Sequence, residues 1–282
     1  MKKIALCCMA ALTAAACHED GENAMPSQLV VEGWIEEGQF PVVQLMHSIP
    51  ITFDYQKIDD LGQYVERWAR VTISDGTREV VMAAKPDRRY MPPYIYTTSY
   101  MRGERGKSYR LKVVYGNGGY AEATTSIPAK ATLDSIWIAP VASSDTLFQI
   151  RGRITPEADS IQGEQYYKLF SSIGVNSRQY LSSYLGVVSS SMLNADREIP
   201  INKGRNNLET YFTPYYTHGD TVFIKIARID KTAYDFWHSF EDMATLSRNP
   251  LFPMNDNLPS NINGALGYWF GYGSSFYSIV VP

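Results

Sequence analysis

Arg70-Val71-Thr72-Ile73-Ser74 runs into Asp75-Gly76 and out again through Glu79-Val80-Val81-Met82. Val71 and Ile73 alternate with polar neighbours, so a β-strand here points one face to a core and the other to water. Asp-Gly is a favoured pair for a two-residue hairpin loop, because glycine accepts the positive φ that such a turn demands. The stretch therefore predicts two antiparallel strands joined at Asp75-Gly76.

The same grammar extends in both directions. Leu29-Val30-Val31-Glu32-Gly33-Trp34-Ile35 and Val42-Val43-Gln44-Leu45-Met46 are short β-branched or apolar runs separated by Gly38 and Pro41. Tyr109, Leu111, Val113 and Tyr115 share one face of a further strand, which Gly116 to Gly119 turns back through Tyr120 to Thr124. About seven short strands between frequent turns indicate an antiparallel sandwich over residues 29–128, resembling immunoglobulin or transthyretin-like modules. Pro128 ends a strand, and residues 129–282 read as a second β-rich domain. One short helix is expected near 231–246, capped by Asp230 and with Ala233, Trp237, Phe240 and Ala244 at helical spacing. That stripe faces either a core or a partner. The fold class is thus mainly β, two β-rich halves with a single helix. Glycines among the large aromatics from Gly264 to Gly273 predict strands lying close against neighbouring backbone.

Two insertions break the strand pattern. Residues 47–69 carry Tyr55, Tyr64 and Trp68, and residues 85–107 carry Tyr90, Tyr94, Tyr96 and Tyr100. Tyrosine offers large contact area at low entropic cost together with a hydroxyl, so these loops are either binding surfaces or aromatic packing against the sandwich.

The N-terminus is of another kind. Lys2 and Lys3 precede an apolar run from Ile4 to Leu12, and Ala14-Ala15-Ala16 leads to Cys17. A charged start, a brief apolar core and small residues describe a secretory signal over residues 1–16, too short to span a bilayer. Small residues before a cysteine resemble a bacterial lipobox, which makes Cys17 the lipidated (palmitate-bearing) first residue of the mature chain. Cys7 and Cys8 leave with the leader, so lipidation also explains the one remaining cysteine. In the linker at 17–28, Glu19, Asp20 and Glu22 resemble the surface-export signal of Bacteroidota lipoproteins; the plainer reading is a solvated acidic spacer. Asp-(Ser/Thr)-aliphatic triplets place candidate O-glycosylation at Ser135, Thr146, Ser160 and Thr221, although Asp before Ser or Thr also marks ordinary turns.

Composition narrows the remaining chemistry. The formal charge of −3 becomes −5 once Lys2 and Lys3 are removed, and no basic run gives a footprint for nucleic acid. His47, His218 and His238 stand alone, with no zinc-type spacing and no Gly-x-Ser-x-Gly elbow. Asp256 between two asparagines is a weak calcium signal, so no metal and no cofactor is expected. The 20 tyrosines suit both a β-rich core and a binding surface.

Leu29 to Ile35, Pro41-Val42-Val43, Tyr109-Arg110-Leu111, Leu133-Asp134-Ser135-Ile136 and Asn261-Ile262-Asn263-Gly264-Ala265-Leu266-Gly267-Tyr268 together resemble the Bacteroidota lipoproteins of domain of unknown function 4249. The resemblance covers nearly the whole mature chain, and its motifs are structural. It implies association with TonB-dependent outer-membrane transporters of the starch-utilisation type. The expected role is a non-enzymatic, cell-surface, outer-membrane lipoprotein held by Cys17 in lipid, binding a nutrient or assisting its transporter. A structural or adhesive surface module is the alternative, and a surface hydrolase stands third.

Overall fold

Arg70–Ser74 (β3) and Glu79–Pro86 (β4) form the expected antiparallel hairpin, pairing Ile73 with Val80 and Ser74 with Glu79. The computed structural model describes residues 27–48, 62–156, 163–174, 180–205, 211–246 and 258–282. Its tight loop falls one residue later than expected, on Gly76-Thr77, closed by the Asp75 amide donating to the Arg78 carbonyl at 3.3 Å. The reason is the Asp75 carboxylate, which accepts from the Thr77 and Arg78 amides at 3.0 Å each and so becomes the corner residue. Glycine, at φ +86°, then stands first in the loop.

Leu29–Glu36 (β1), Val42–His47 (β2), Tyr94–Thr97 (β5), Ser108–Tyr115 (β6) and Gly119–Ser126 (β7) complete the first half. The order β1-β2-β5-β4-β3-β6-β7 folds over on itself at β4, which pairs with β5 through residues 83–86 and with β3 through residues 79–82. Leu29, Val31, Val43 and Leu45 on one side meet Val71, Ile73, Leu111 and Val113 on the other to form the first core. At roughly 1.5–3 kcal/mol for each large apolar side chain removed from water, this burial is the main force holding that half closed.

The second half uses Ser135–Pro140 (β8), Leu147–Arg153 (β9), Tyr166–Ile173 (β10), Leu181–Ser189 (β11), Glu198–Ile201 (β12), Tyr216–Thr217 (β13) and Thr221–Ile229 (β14). β8, β9, β12 and β13 make a four-stranded sheet, whose Ile150, Ile199 and Ile201 pack on Leu169, Val222 and Ile224 of β10 and β14. The serine-rich stretch around residues 181–191 is ordered, most of it in β11.

Leu266–Val280 (β15) is one continuous strand and joins the two halves. Its first part, from Leu266 to Tyr272, runs parallel to β1; its second, from Gly273 to Val280, runs antiparallel to β14. The first sandwich thus has a parallel neighbour that local periodicity does not encode, and the eleven-stranded sheet continues through β15 into the second half. The inner face of β15 places Trp269 in the first core and Tyr277 against the second. Between them lie Gly271 and Gly273, where the 126–131 linker crosses. A Cβ on Gly271 would stand 2.1 Å from the Ser126 carbonyl oxygen, and one on Gly273 would stand 2.2 Å from that of Ala129. The close approach read from the glycine-aromatic pattern is met here.

Lys231–Leu246 (α1) is capped by Asp230, whose carboxylate accepts from the Ala233 amide at 2.8 Å. It buries Ala233, Phe236 and Trp237 on the outer face of the sheet, against Phe170, Ala227, Tyr268 and Phe270. No helix among the described residues is long and apolar enough to cross a membrane.

Candidate functional site

β1 alternates strictly. Leu29, Val31 and Ile35 enter the core, so Glu32, Trp34 and Glu36 face the opposite side. Strand register then carries that face sideways: Glu32 pairs with Gln44 of β2 and with Tyr268 of β15, and Trp34 pairs with Val42 and Phe270. On the other half, Lys225 of β14 pairs with Phe170 of β10 and Phe276 of β15, again on the outer face. α1 covers part of this surface and leaves the rest as a cleft over the junction of the two halves.

The cleft consists of two adjoining cavities of about 340 and 410 Å³, which share Glu32, Ser182, Trp237 and Tyr268 in their walls. The smaller is closed on one side by the Tyr90-Met91-Pro92 loop, held down by the Gln44 amide donating to the Pro92 carbonyl at 2.9 Å. Tyr90 leans on Trp34 with ring centres 5.9 Å apart. The larger runs under α1 past Phe236, Phe240 and Met243. Its aromatic wall is held rigidly, for Tyr268 stacks on Phe270 at 5.0 Å, and Trp237 Nε1 donates to the Tyr272 hydroxyl at 3.1 Å. Burial holds the Tyr268 and Tyr272 hydroxyls protonated well beyond their ordinary range.

Two buried lysines lie beneath this wall. Lys225 Nζ is 2.7 Å from Glu36 Oε1, with the rings of Phe170, Tyr272 and Tyr180 around it at 4.2, 5.2 and 5.7 Å. Lys168, fully buried, is 2.7 Å from Glu241 Oε1 and 5.1 Å from the Trp237 ring. Burial lowers its ammonium pKa, and the Glu241 carboxylate opposes that shift. Glu36 keeps one carboxylate oxygen, Oε2, buried and without a hydrogen-bond partner. Glu32 is open to the water of the cleft yet flanked by dense protein, and burial raises its carboxyl above the ordinary value. Among the described residues no cation opposes that rise, and Glu32 stands without a partner among them at the meeting point of the two cavities.

The arrangement suits holding a ligand: aromatic walls, the Glu32 carboxylate open to the cleft, and a position over the junction of the two halves. Among the described residues no histidine or cysteine lines either cavity. Among the described residues there is no group of three or more His, Cys, Asp or Glu that could hold a metal.

Of the loop aromatics named from the sequence, only Tyr90 reaches the cleft. Tyr96 corrects the expectation for its loop, because Tyr94–Thr97 is a strand and Tyr96 is 1% exposed in the first core. Its hydroxyl donates to the Glu66 carbonyl and accepts from the Ala69 amide, at 3.0 and 3.2 Å, and burial pushes its pKa to about 12. Tyr94 packs on the same core, edge-on to Tyr96. Tyr64 is half-buried, and Trp68 and Tyr100 are exposed away from the cleft, at 93% and 77%. Ser135 and Thr146 are exposed, and Thr221 is half-buried at the start of β14. Cys17, Glu19, Asp20, Glu22, Tyr55, Ser160 and Asp256 lie outside the described residues. Sequence reasoning missed Glu32, Glu36 and Lys225 altogether. The first two had a usable signal, since an acid-aromatic-acid alternation on the outer face of a strand is unusual for a face meant only for water.

The model of the family described as Domain of unknown function (DUF4249) matches residues 19–277. The chain belongs to this family. The match takes in β1, β15 as far as Tyr277 and every described residue of the cleft, so the junction lies within the DUF4249 domain and not in an appendage to it. No curated protein matches the chain in sequence.

Proposed function

We propose that this DUF4249 protein is a non-enzymatic, surface-exposed lipoprotein of the outer membrane, which binds a ligand for a TonB-dependent nutrient uptake system. The observation that carries the binding part is the cleft over the β1–β15 junction, with its paired cavities, aromatic walls and unpartnered carboxylate. The anchoring part rests on the leader and Cys17, the surface part on Glu19, Asp20 and Glu22, and the transporter part on the family resemblance.

Binding is favoured over hydrolysis on geometric grounds. Glu32 and Glu36 are four residues apart on one strand, which sets their backbones about 13 Å apart. Glycosidases need two carboxyl groups free to act as acid and as base or nucleophile, and here one of the two is already engaged by Lys225. The tyrosine- and tryptophan-rich walls match the residue types that dominate recognition surfaces.

The test is isolation of the anchored protein from detergent-solubilised outer membranes. A β-barrel transporter should copurify, and the Cys17→Ala chain should appear in the soluble fraction. Recovery of the protein with no transporter, or membrane retention after Cys17→Ala, would count against the reading.

A further inference from the structure

The cleft's unmatched charge points to the chemistry of its ligand. Along its walls, Lys225 is taken by Glu36 Oε1, and Arg205 on the far wall has contacts of its own. Glu32 is left over. It stands where the two cavities meet, between Gln44 and Tyr268 in the sheet and beside Trp237 in the cleft wall. Glu36 contributes a second, independent sign. Its residue is 5% exposed, it lines the smaller cavity, and Oε2 has no donor. A buried carboxylate oxygen without a donor is costly, and natural interiors rarely leave one unless something else supplies the hydrogen bond. Aromatic faces beside a carboxylate are a favourable setting for an ammonium, which gains both the charge pair and the ring quadrupole.

We propose that the cleft binds a small organic amine with an apolar body, its ammonium on Glu32 among the Trp237 and Tyr268 rings and a hydrogen-bond donor at its far end turned towards Glu36 in the smaller cavity. The inference rests on the binding reading of the cleft and adds the ligand class. A neutral sugar would stack on the same aromatic walls but make no ion pair with Glu32. An anionic ligand would meet that charge directly.

Three probes separate these cases by isothermal titration on the full chain: tyramine, with an ammonium at one end and a hydroxyl at the other; tyrosol, the same skeleton with a hydroxyl replacing the amine; and 2-phenylethylamine, which keeps the amine and lacks the phenol. Tyramine should bind best, with tyrosol weaker by about tenfold or more and 2-phenylethylamine intermediate. Glu32→Gln should remove the preference for tyramine over tyrosol, while near-UV circular dichroism reports an unchanged fold. The wild-type preference needs no variant and tests the idea by itself. Equal binding of tyramine and tyrosol would overturn the amine assignment and leave the binding cleft standing. Failure of all three to bind would overturn it as well, and copurification with a transporter would then still support the accessory role.

Discussion

Consider removing the Glu36–Lys225 pair one side at a time. Each side chain is 7% exposed and the charged atoms are 2.7 Å apart, so neither group can recover its hydration when its partner is lost. Breaking a pair of this kind costs about 3–5 kcal/mol, mostly as the penalty of the orphaned charge. The two halves of the pair should not cost the same. Glu36→Gln leaves Lys225 with three aromatic rings, the nearest at 4.2 Å, and with an amide oxygen still able to accept. Ring contacts of this type are worth about 0.5–2 kcal/mol, which reduces the expected loss to about 1–3 kcal/mol. Lys225→Met leaves Glu36 with no cation and with Oε2 already lacking a donor, so the full 3–5 kcal/mol is expected. The double variant, with no buried charge and nearly the same volume, should return to within about 1–2 kcal/mol of the parent. Urea unfolding followed by tryptophan fluorescence and circular dichroism at neutral pH measures all four proteins, and unchanged slopes show that the states compared are the same. Equal losses for the two single variants, or a double variant whose loss is their sum, would refute the account of Lys225 as a cation held by both a carboxylate and aromatic faces.

Other consequences are simpler to read. Gly271→Ala should cost about 1–3 kcal/mol or more, because its Cβ would meet a backbone oxygen that cannot rotate away; a neutral result in thermal unfolding would show that the linker can move off β15. Asp75→Ala should cost about 1 kcal/mol at neutral pH. The Asp75 carboxyl is held down at about 2, first by the Thr77 hydroxyl against the opposing effect of burial and then by the Arg78 and Thr77 amides. Its contribution is therefore complete above the unfolded value near 3.8 and is lost as pH falls towards 2, so parent and variant should converge in that window. A gap that persists at pH 2 would assign the effect to something other than the carboxylate. Glu32 has the opposite sign: its raised carboxyl makes the charged form a cost to folding above the raised value, a cost that disappears as pH falls. Glu32→Gln should raise the unfolding midpoint at neutral pH, and a lowered midpoint would mean that Glu32 has a stabilising partner.

What the sequence made legible was local. The Arg70–Ser74 hairpin, the Tyr109–Tyr115 alternation and the Asp230 cap depend on neighbours within a few residues, and the structure agrees with them to within one position. The 85–107 segment stays open between binding and packing in the sequence because Tyr94-Ile95-Tyr96 is too short a run to show periodicity; the structure makes it a strand and puts Tyr96 in the core. The cleft was not legible. It depends on β1 meeting β15 in parallel, and a contact between Glu32 and Tyr268 has no local pattern. Lys225 and Lys168 are the clearest cases. A lysine in an apolar strand reads as a solvent-facing position, and only α1 lying over Lys168 and the aromatic rings around Lys225 make these buried.

The dual allegiance of β15 bears on how the chain folds. Neither core is complete until residues 266–280 arrive, since Trp269 fills the first and Tyr277 packs on the second. Val30 must find Leu266 across almost the whole sequence, a closure whose entropic cost is met late and which makes folding slow. A chain whose C-terminal segment has yet to pair would thus hold two unfinished sandwiches, each short of one strand. A single late strand closes both at once, so the commitment to fold coincides with delivery of the C-terminal segment.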